Sequence, residues 1–285
     1  MYGVDRIAHH LVRDRICTDA RAVVTGAGSG IGRAFALELA RRGGEVVCAD
    51  IDATRAAETV DLIASTTGRP AHSVECDVAD RTQVEALVAS SCTVFDGPPT
   101  LVINNAGVGI GGRRVGEIGF DDWNWALGIN LWGVVHGCEL FAPLLRDAGR
   151  GGIINVASAA GFAAAPSMAA YNVSKAGVMS LSETLAAELA GSGVAVTVLC
   201  PTFVKTNVAR DGRITAGSRK LAGRLMQLTG ISPDGVAAQT LDAHDLRRLY
   251  VVPQLDANII WHLKRHFPVP YVRGLGLVTR YLPAS

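Results

Sequence analysis

Tyr171 and Lys175 stand four residues apart in the stretch AAYNVSKAGV, and Ser158 precedes the tyrosine by 13 positions. On a helix, residues at this spacing share a face, so the phenol and the ammonium can meet one ligand. A phenol titrates near pH ~10. A neighbouring ammonium favours the phenolate and lowers that value. Such a tyrosine can serve as a general base near neutral pH. A serine hydroxyl beside it can stabilise the oxygen on which charge develops. Taken alone, the stretch is equally a helix that carries two polar side chains.

A second group of residues has the chemistry of a nucleotide site. TGAGSGIG, Thr25 to Gly32, joins a strand-like run to a helix-like one. Glycines there let the backbone turn sharply and approach a pyrophosphate at the positive end of a helix. Strict GxGxxG spacing fails at Ile31. TGxxxGxG fits, through Thr25, Gly26, Gly30 and Gly32, with Ser29 inside the loop. The next strand-like run ends in Asp50, followed by Ile51. A carboxylate there can accept both ribose hydroxyls of an adenosine and would repel a 2′-phosphate, so NAD is expected rather than NADP. Arg33 follows the last glycine and is expected on the helix surface.

These groups need a frame, and the chain supplies one. ARAVVTGAG, GEVVCAD, PTLVINNAG, GGIINVAS and VAVTVLCP are short apolar runs that read as strands. Between them lie helix-like runs: Ile31, Phe35 and Leu39 mark one face of the first, and Gly43 and Gly44 stop it. RTQVEALVASS is another, with a capping aspartate before it. DDWNWALGINLWGVVHGCELFAPLLRDA reads as one long helix, and SMAAYNVSKAGVMSLSETLAAELAGSG as a further one. Apolar strands alternating with helices predict βαβ units: an α/β, Rossmann-type, doubly wound parallel sheet of about seven strands with helices on both faces. After Pro201 the pattern loosens. A polar, glycine-spaced segment leads into SPDGVAAQTLDAHDLRR, which reads as a helix, and LYVVPQ, which reads as a last strand.

With its motifs in this order, the chain resembles the short-chain dehydrogenases/reductases of the single-domain kind. The resemblance runs from about Ala20 to about Thr206. TGAGSGIG matches the family's cofactor loop. CDV places Asp77 and Val78 where the family meets the adenine. NNAG, with Asn104, Ala106 and Gly107, matches the motif at the end of the fourth strand. Ser158, Tyr171 and Lys175 match the catalytic set, and Asn130 in GINLWG its fourth member. The resemblance implies that Tyr171 takes the hydroxyl proton of an alcohol while hydride passes to NAD. It also implies that Ser158 holds the same oxygen, Lys175 the nicotinamide ribose, and Asn130 a water that carries the proton outward. Pro201, Val204 and Thr206 keep most of the family's pattern after the sixth strand, but Thr202 stands where the family has glycine. A homodimer or homotetramer is implied. The alternatives are an NADP-linked carbonyl reductase and a non-enzymatic NAD-binding regulator on the same fold.

Composition excludes several other classes. Among 285 residues, 27 are Lys or Arg and 26 Asp or Glu, a net charge of +1 that gives no reason to expect nucleic acid. The six cysteines form no CxxC pair and no cluster with histidine, so neither a disulfide frame nor a metal site is expected, and a reducing cytoplasm is the natural setting. The N-terminus carries scattered charges and does not read as a signal peptide. No apolar run of 18 residues occurs.

The expected division is an N-terminal extension (1–19), one dehydrogenase domain (20–252) with a lid at about 202–231, and an apolar, basic tail (253–285). Around the expected substrate position, Phe162, Met168, Phe203, Leu221, Leu225 and Met226 suggest a hydrophobic secondary alcohol or ketone. Arg113 and Arg114 read as solvated loop residues. In the tail, Ile260, Leu263 and Phe267 form a stripe with Lys264 and Arg265 between them. It could dock on a neighbouring subunit, cover the substrate pocket or lie on a membrane surface, in that order of preference.

Overall fold

Strand residues buried on both faces dictate the centre of the molecule. In the computed structural model, β1 (Arg21–Thr25), β2 (Glu45–Asp50), β4 (Leu101–Asn104), β6 (Gly151–Val156) and β7 (Val194–Leu199) are almost wholly buried. With β3 (Ala71–Glu75) and β9 (Tyr250–Val251) they form a seven-stranded sheet in the order β3-β2-β1-β4-β6-β7-β9. Every pairing is parallel, with Val23 opposite both Val47 and Val102. The order reverses between β1 and β4, and ligands of such sheets bind at the carboxyl ends of the strands flanking that point. The structure describes residues 15–206 and 212–281, without the side chains of Leu221, Leu225, Leu228 and 278–281. Residues 1–14 of the expected N-terminal extension (1–19), residues 207–211 of the expected lid, the last four residues and the Leu221 and Leu225 side chains lie outside what is described.

Alternate strand residues feed two cores. On one face Ala22, Val24, Cys48 and Ile103 meet Phe35 and Leu39 of α1 (Gly30–Arg41) and Leu241 of α9 (Pro233–Asp245). On the other, Val23, Val47 and Val102 meet Leu87 of α3 (Arg81–Val94), Phe141 of α5 (Gly133–Asp147) and Val178 of α7 (Ala169–Glu188). The helices begin where capping chemistry is present. Asp52 accepts from the Arg55 amide at the start of α2 (Ala53–Thr67), Asp80 from Thr82 and Ser232 from Gly235.

The single long helix expected after residue 120 is instead α4 (Phe120–Leu127), a π turn (Gly128–Trp132) and α5. The extra residue of the π turn keeps the helix going while rotating Asn130 inward, where it is fully buried. The looser segment after Pro201 contains β8 (Arg213–Ile214) and α8 (Ala216–Thr229). β8 pairs in parallel with β5 (Ile110–Gly111), so this segment is tied to the loop after β4. Asp122 completes the tie. It holds Arg213 at 2.7 Å and Arg113 at 2.9 Å, while the Arg213 guanidinium stacks 4.3 Å from the Trp125 ring centre. Arg113 is therefore a structural partner and not a free loop cation.

The tail forms α10 (Leu255–His266) and α11 (Pro268–Tyr281). It packs on its own chain: Trp261 meets the Phe162 ring edge-on at 4.9 Å, and the Tyr271 hydroxyl donates to the Ala163 carbonyl at 2.8 Å. Among the described residues, no helix is long and apolar enough to cross a membrane.

Candidate active site

The glycine turn after β1 is held open from below. Thr25 Oγ1 accepts from the Asn105 and Ala106 amides at 3.0 and 3.1 Å, and Asn105 Nδ2 donates to the Thr25 and Gly26 carbonyls at 2.8 and 3.2 Å. These bonds fasten NNAG to the glycine loop. Gly26 has φ +64, and a Cβ there would stand 2.8 Å from the Ala106 backbone. A Cβ on Gly32 would overlap the Gly26 carbonyl. Gly30 sits against Thr206, whose Cγ2 is 3.0 Å from where a Cβ would be. Ser29 is the N-cap of α1 but makes no side-chain cap bond, and Ile31 is partly buried in the core of that face. The loop is thus a bare backbone cradle at a helix N-terminus, the shape and donor set that a dinucleotide pyrophosphate requires.

At the adenosine end, Asp50 Oδ2 accepts from Gly28 N at 2.8 Å and Oδ1 from Asp52 N at 3.0 Å. The carboxylate is fixed in orientation at the mouth of the cradle. Ile51 beside it is 65% exposed. Arg33 departs from expectation. Its guanidinium folds back to the Gly28 carbonyl at 2.5 Å, with Thr59 at 2.9 Å and Glu58 at 3.0 Å. Those three acceptors outweigh solvation of a free helix-surface arginine. Asp77 Oδ1 accepts from Ala79 N at 2.9 Å, and the Val78 carbonyl meets His136 Nδ1 at 2.9 Å. Both lie at the turn after β3. The Asn104 side chain points away from the cradle into a buried amide chain, donating to Asn155 Oδ1 at 2.8 Å, and Asn155 donates to Ser182 Oγ at 3.0 Å. Of NNAG, Asn105 is the one whose side chain shapes the loop.

The second half of the cleft brings the chemistry together. Lys175 is 3% exposed and donates to the Val156 carbonyl at 2.9 Å. Its Nζ lies 5.9 Å from the Tyr171 ring centre. A Cβ on Gly107 would approach Lys175 Nζ to 3.3 Å and Asn130 Oδ1 to 3.0 Å, so the loop lies directly over both. Asn130 is committed in both directions to Val108, accepting from its amide at 2.7 Å and donating to its carbonyl at 2.9 Å. Ser158 Oγ accepts from Ala160 N at 3.2 Å and donates to the Pro201 carbonyl at 3.3 Å. Thr202, in the place of the expected glycine, is tied to the start of α10. Its amide donates to Gln254 Oε1 at 3.0 Å and its hydroxyl to Asp256 at 3.2 Å. Val204 bridges Ile231 and is buried.

Burial decides the electrostatics. It pulls the Lys175 ammonium down to about 8, opposed by the nearby Cys200. The Tyr171 phenol is pushed up by burial, while the neighbouring Ser158 hydroxyl acts the other way. The lowering expected from the Tyr-Lys spacing is therefore not what the protein alone produces. A desolvated cation nearly 6 Å from the ring does less than the loss of water around the phenol.

At the start of α7, Val115, Ala164, Ala165, Pro166 and Ala169 line a groove of about 500 Å³, with Arg114, Ser167 and Asn172 as its polar members.

A family model of the short chain dehydrogenases matches residues 20–216. The probable oxidoreductase EphD of Mycobacterium tuberculosis is 40% identical over 235 residues, 79% of this chain. The chain spans only 39% of the length of EphD. A short-chain dehydrogenase/reductase from Burkholderia phymatum, solved with NAD, is 35% identical and superposes with a TM-score of 0.82, covering 88% of this chain and 94% of that one. Another from Sphingobium yanoikuyae, solved with NADPH, is 25% identical with a TM-score of 0.74, covering 93% and 96%. The chain belongs to the short-chain dehydrogenase family. Its sheet order and glycine cradle are those of NAD(P)-linked oxidoreductases.

Proposed function

We propose that this chain is an NAD-dependent dehydrogenase that interconverts a hydrophobic secondary alcohol and its ketone, with Tyr171 as the general base. The observation that carries the reading is the buried Lys175 ammonium set beside the Tyr171 ring, directly under the Gly107 backbone. A bound nicotinamide dinucleotide supplies the hydride acceptor, or the donor in the reverse direction. Gly26, Gly30 and Gly32 would hold its pyrophosphate, Asp50 its adenosine ribose, and Lys175 the second ribose through the two ammonium hydrogens that Val156 leaves available. Asp77 and Val78 would flank the adenine.

Tyr171 takes the alcohol proton, and Ser158 donates to the same oxygen as charge develops on it. Asn130 holds Val108, and through it the loop over Lys175; it is a positioning residue in this arrangement. The groove at the start of α7, lined by Val115, Ala164, Ala165, Pro166 and Ala169 and reaching Asn172, the residue after Tyr171 in sequence, supports a largely hydrophobic substrate. The fixed Asp50 carboxylate supports NAD. Arg33 favours the second reading, NADP, because its guanidinium lies at the mouth of the cradle, but Glu58 at 3.0 Å already pairs with it.

The test is reduction of NAD and of NADP by a panel of hydrophobic secondary alcohols, with the native chain and Tyr171→Phe. Turnover with NAD that falls about a thousandfold in the variant, while NADH still binds, is the expected outcome. Turnover that survives loss of the phenol hydroxyl refutes the base. A preference for NADP refutes the role given to Asp50.

A further inference from the structure

The tail helices are fastened to the short turn that leaves Ser158, α6 (Ala160–Ala163). Trp261 of α10 packs edge-on against Phe162, and the Tyr271 hydroxyl of α11 donates to the Ala163 carbonyl at 2.8 Å. Leu275, one helical turn after Tyr271, is also partly buried, and Gly276 beside it borders the groove at the start of α7. The facing walls are the turn from Ala164 to Ser167, Asn172 of α7, and Arg114 and Val115 from the loop after β5. Two of these walls thus continue the segments that carry Ser158 and Tyr171 into the catalytic cleft.

The walls opposite α11 are braced by the fold. Ala164 and Ser167 hold left-handed backbone, with φ +53 and +60, which non-glycine residues keep only where their surroundings hold them. Here Asn172 Nδ2 donates to the Ala165 carbonyl at 2.7 Å, and the Gly112 amide to the Ser167 carbonyl at 2.8 Å. Gly276 is not demanded by packing in the same way. Glycine weakens a helix relative to alanine, yet a Cβ at 276 would meet nothing within 4 Å. What its missing side chain leaves is room in the groove. At about 500 Å³ the groove has the size of a small-molecule site and not of a protein interface. We infer that this groove takes the apolar arm of the substrate and that α11, through Gly276, sets how long that arm can be. The inference rests on the reading of the chain as a secondary-alcohol dehydrogenase. It makes an elongated apolar alcohol the substrate class and gives the tail the second of the three roles weighed for it, a cover over the substrate pocket.

The experiment offers straight-chain secondary alcohols, from butan-2-ol to dodecan-2-ol, with NAD to the native chain, Gly276→Phe and Gly274→Phe. Gly274 is the control: it lies on the same helix, does not border the groove, and an added Cβ there also meets nothing within 4 Å. In the native chain kcat/KM should rise by about two- to fourfold per added methylene until the groove is full. Gly276→Phe should lose about tenfold or more on the longest alcohols and less than about twofold on the shortest, while Gly274→Phe follows the native chain at every length. If phenylalanine at 276 lowers the melting temperature, Gly276→Leu makes the same comparison with a smaller side chain. Calorimetry of the matching ketones on Tyr171→Phe loaded with NADH, with and without the change at Gly276, reads the groove apart from the chemistry. The same length dependence in Kd, with no turnover by the native chain, would keep the groove and sink the dehydrogenase reading. Affinity that is equal at every chain length, a Gly276 variant that weakens short and long ligands alike or neither, or a Gly274 variant with the same effect overturns the inference.

Discussion

Replacing Lys175 by methionine separates what the buried ammonium costs from what it does. Burial pulls its pKa from 10.5 to about 8. At 1.36 kcal/mol per unit, the charged side chain costs the native state about 3 kcal/mol wherever both native and unfolded chains carry the proton, which is below pH 8. Between pH 8 and 10.5 the unfolded chain holds a proton that the native one has released, so native stability rises with pH across that window and the cost fades. Methionine has similar length and no charge, but it leaves the Val156 carbonyl without its 2.9 Å donor, a loss of about 1–3 kcal/mol. The two nearly offset. At pH 7 Lys175→Met should unfold in urea with a stability within about 2 kcal/mol of the native chain, on the stable side, and the difference should move against the variant by about 3 kcal/mol as pH rises to 10.5. Turnover should meanwhile fall by about three orders of magnitude. A variant destabilised by more than about 3 kcal/mol at pH 7, or a stability difference that does not change with pH, would refute the charged, desolvated lysine.

Two further outcomes follow from the packing. In Gly152→Ala the added Cβ would overlap Nε2 of His244, a fully buried ring whose Nδ1 is held by Thr197 Oγ1 at 2.8 Å, so the ring cannot swing away. A loss of about 3 kcal/mol or more in urea unfolding is expected, and a loss under about 1 kcal/mol would show that β6 and α9 can part. In Asp122→Asn the two guanidiniums of Arg113 and Arg213 lose their shared carboxylate. KM for the alcohol should rise several-fold with kcat and the NADH Kd little changed, and a fall in kcat alone would place Asp122 in the chemistry instead.

How much of this was legible beforehand depended on whether a residue's fate is set by its neighbours in sequence. The central strands are continuous apolar runs because a parallel sheet is covered on both faces, and β1, β2, β4, β6 and β7 announce themselves in that way. β3 does not. AHSVE lies at the edge of the sheet, only partly buried, and its alternation of small and polar residues passes for a loop. The π turn is equally silent, because apolar residues continue at helical spacing through Gly128–Trp132, and one inserted residue shifts the face without breaking the run. In the segment expected to form a lid, α8 is polar overall and carries Gly217 and Gly223, which hides its helical spacing, and β8 before it is positioned by contacts made elsewhere, through β5 and Asp122.

The candidate site divides along the same line. The Tyr171–Lys175 spacing fixes a shared face, and the structure brings both to one cleft with Ser158. Spacing says nothing about desolvation, and here desolvation sets the sign: it favours a neutral phenol and weakens the ammonium. The role of Asn105 was not legible, and Arg33 was expected on the helix surface, for a related reason. Their partners lie 80 residues upstream for Asn105 and on a neighbouring helix for Arg33, so only the fold shows that they brace the glycine loop.

The donor count at Ser158 shows how such a site can still produce a base. The hydroxyl has one proton, and it is given to the Pro201 carbonyl over a long 3.3 Å. The oxygen is held independently by the Ala160 amide at 3.2 Å. Turning the proton toward Tyr171 or a substrate oxygen therefore forfeits only the weaker of two bonds and leaves the oxygen where it is. The Pro201 carbonyl is not stranded by that turn, because the Ala159 amide still donates to it at 2.9 Å. Ser158 is thus a donor with a low cost of redirection beside Tyr171, a phenol whose charged form burial opposes.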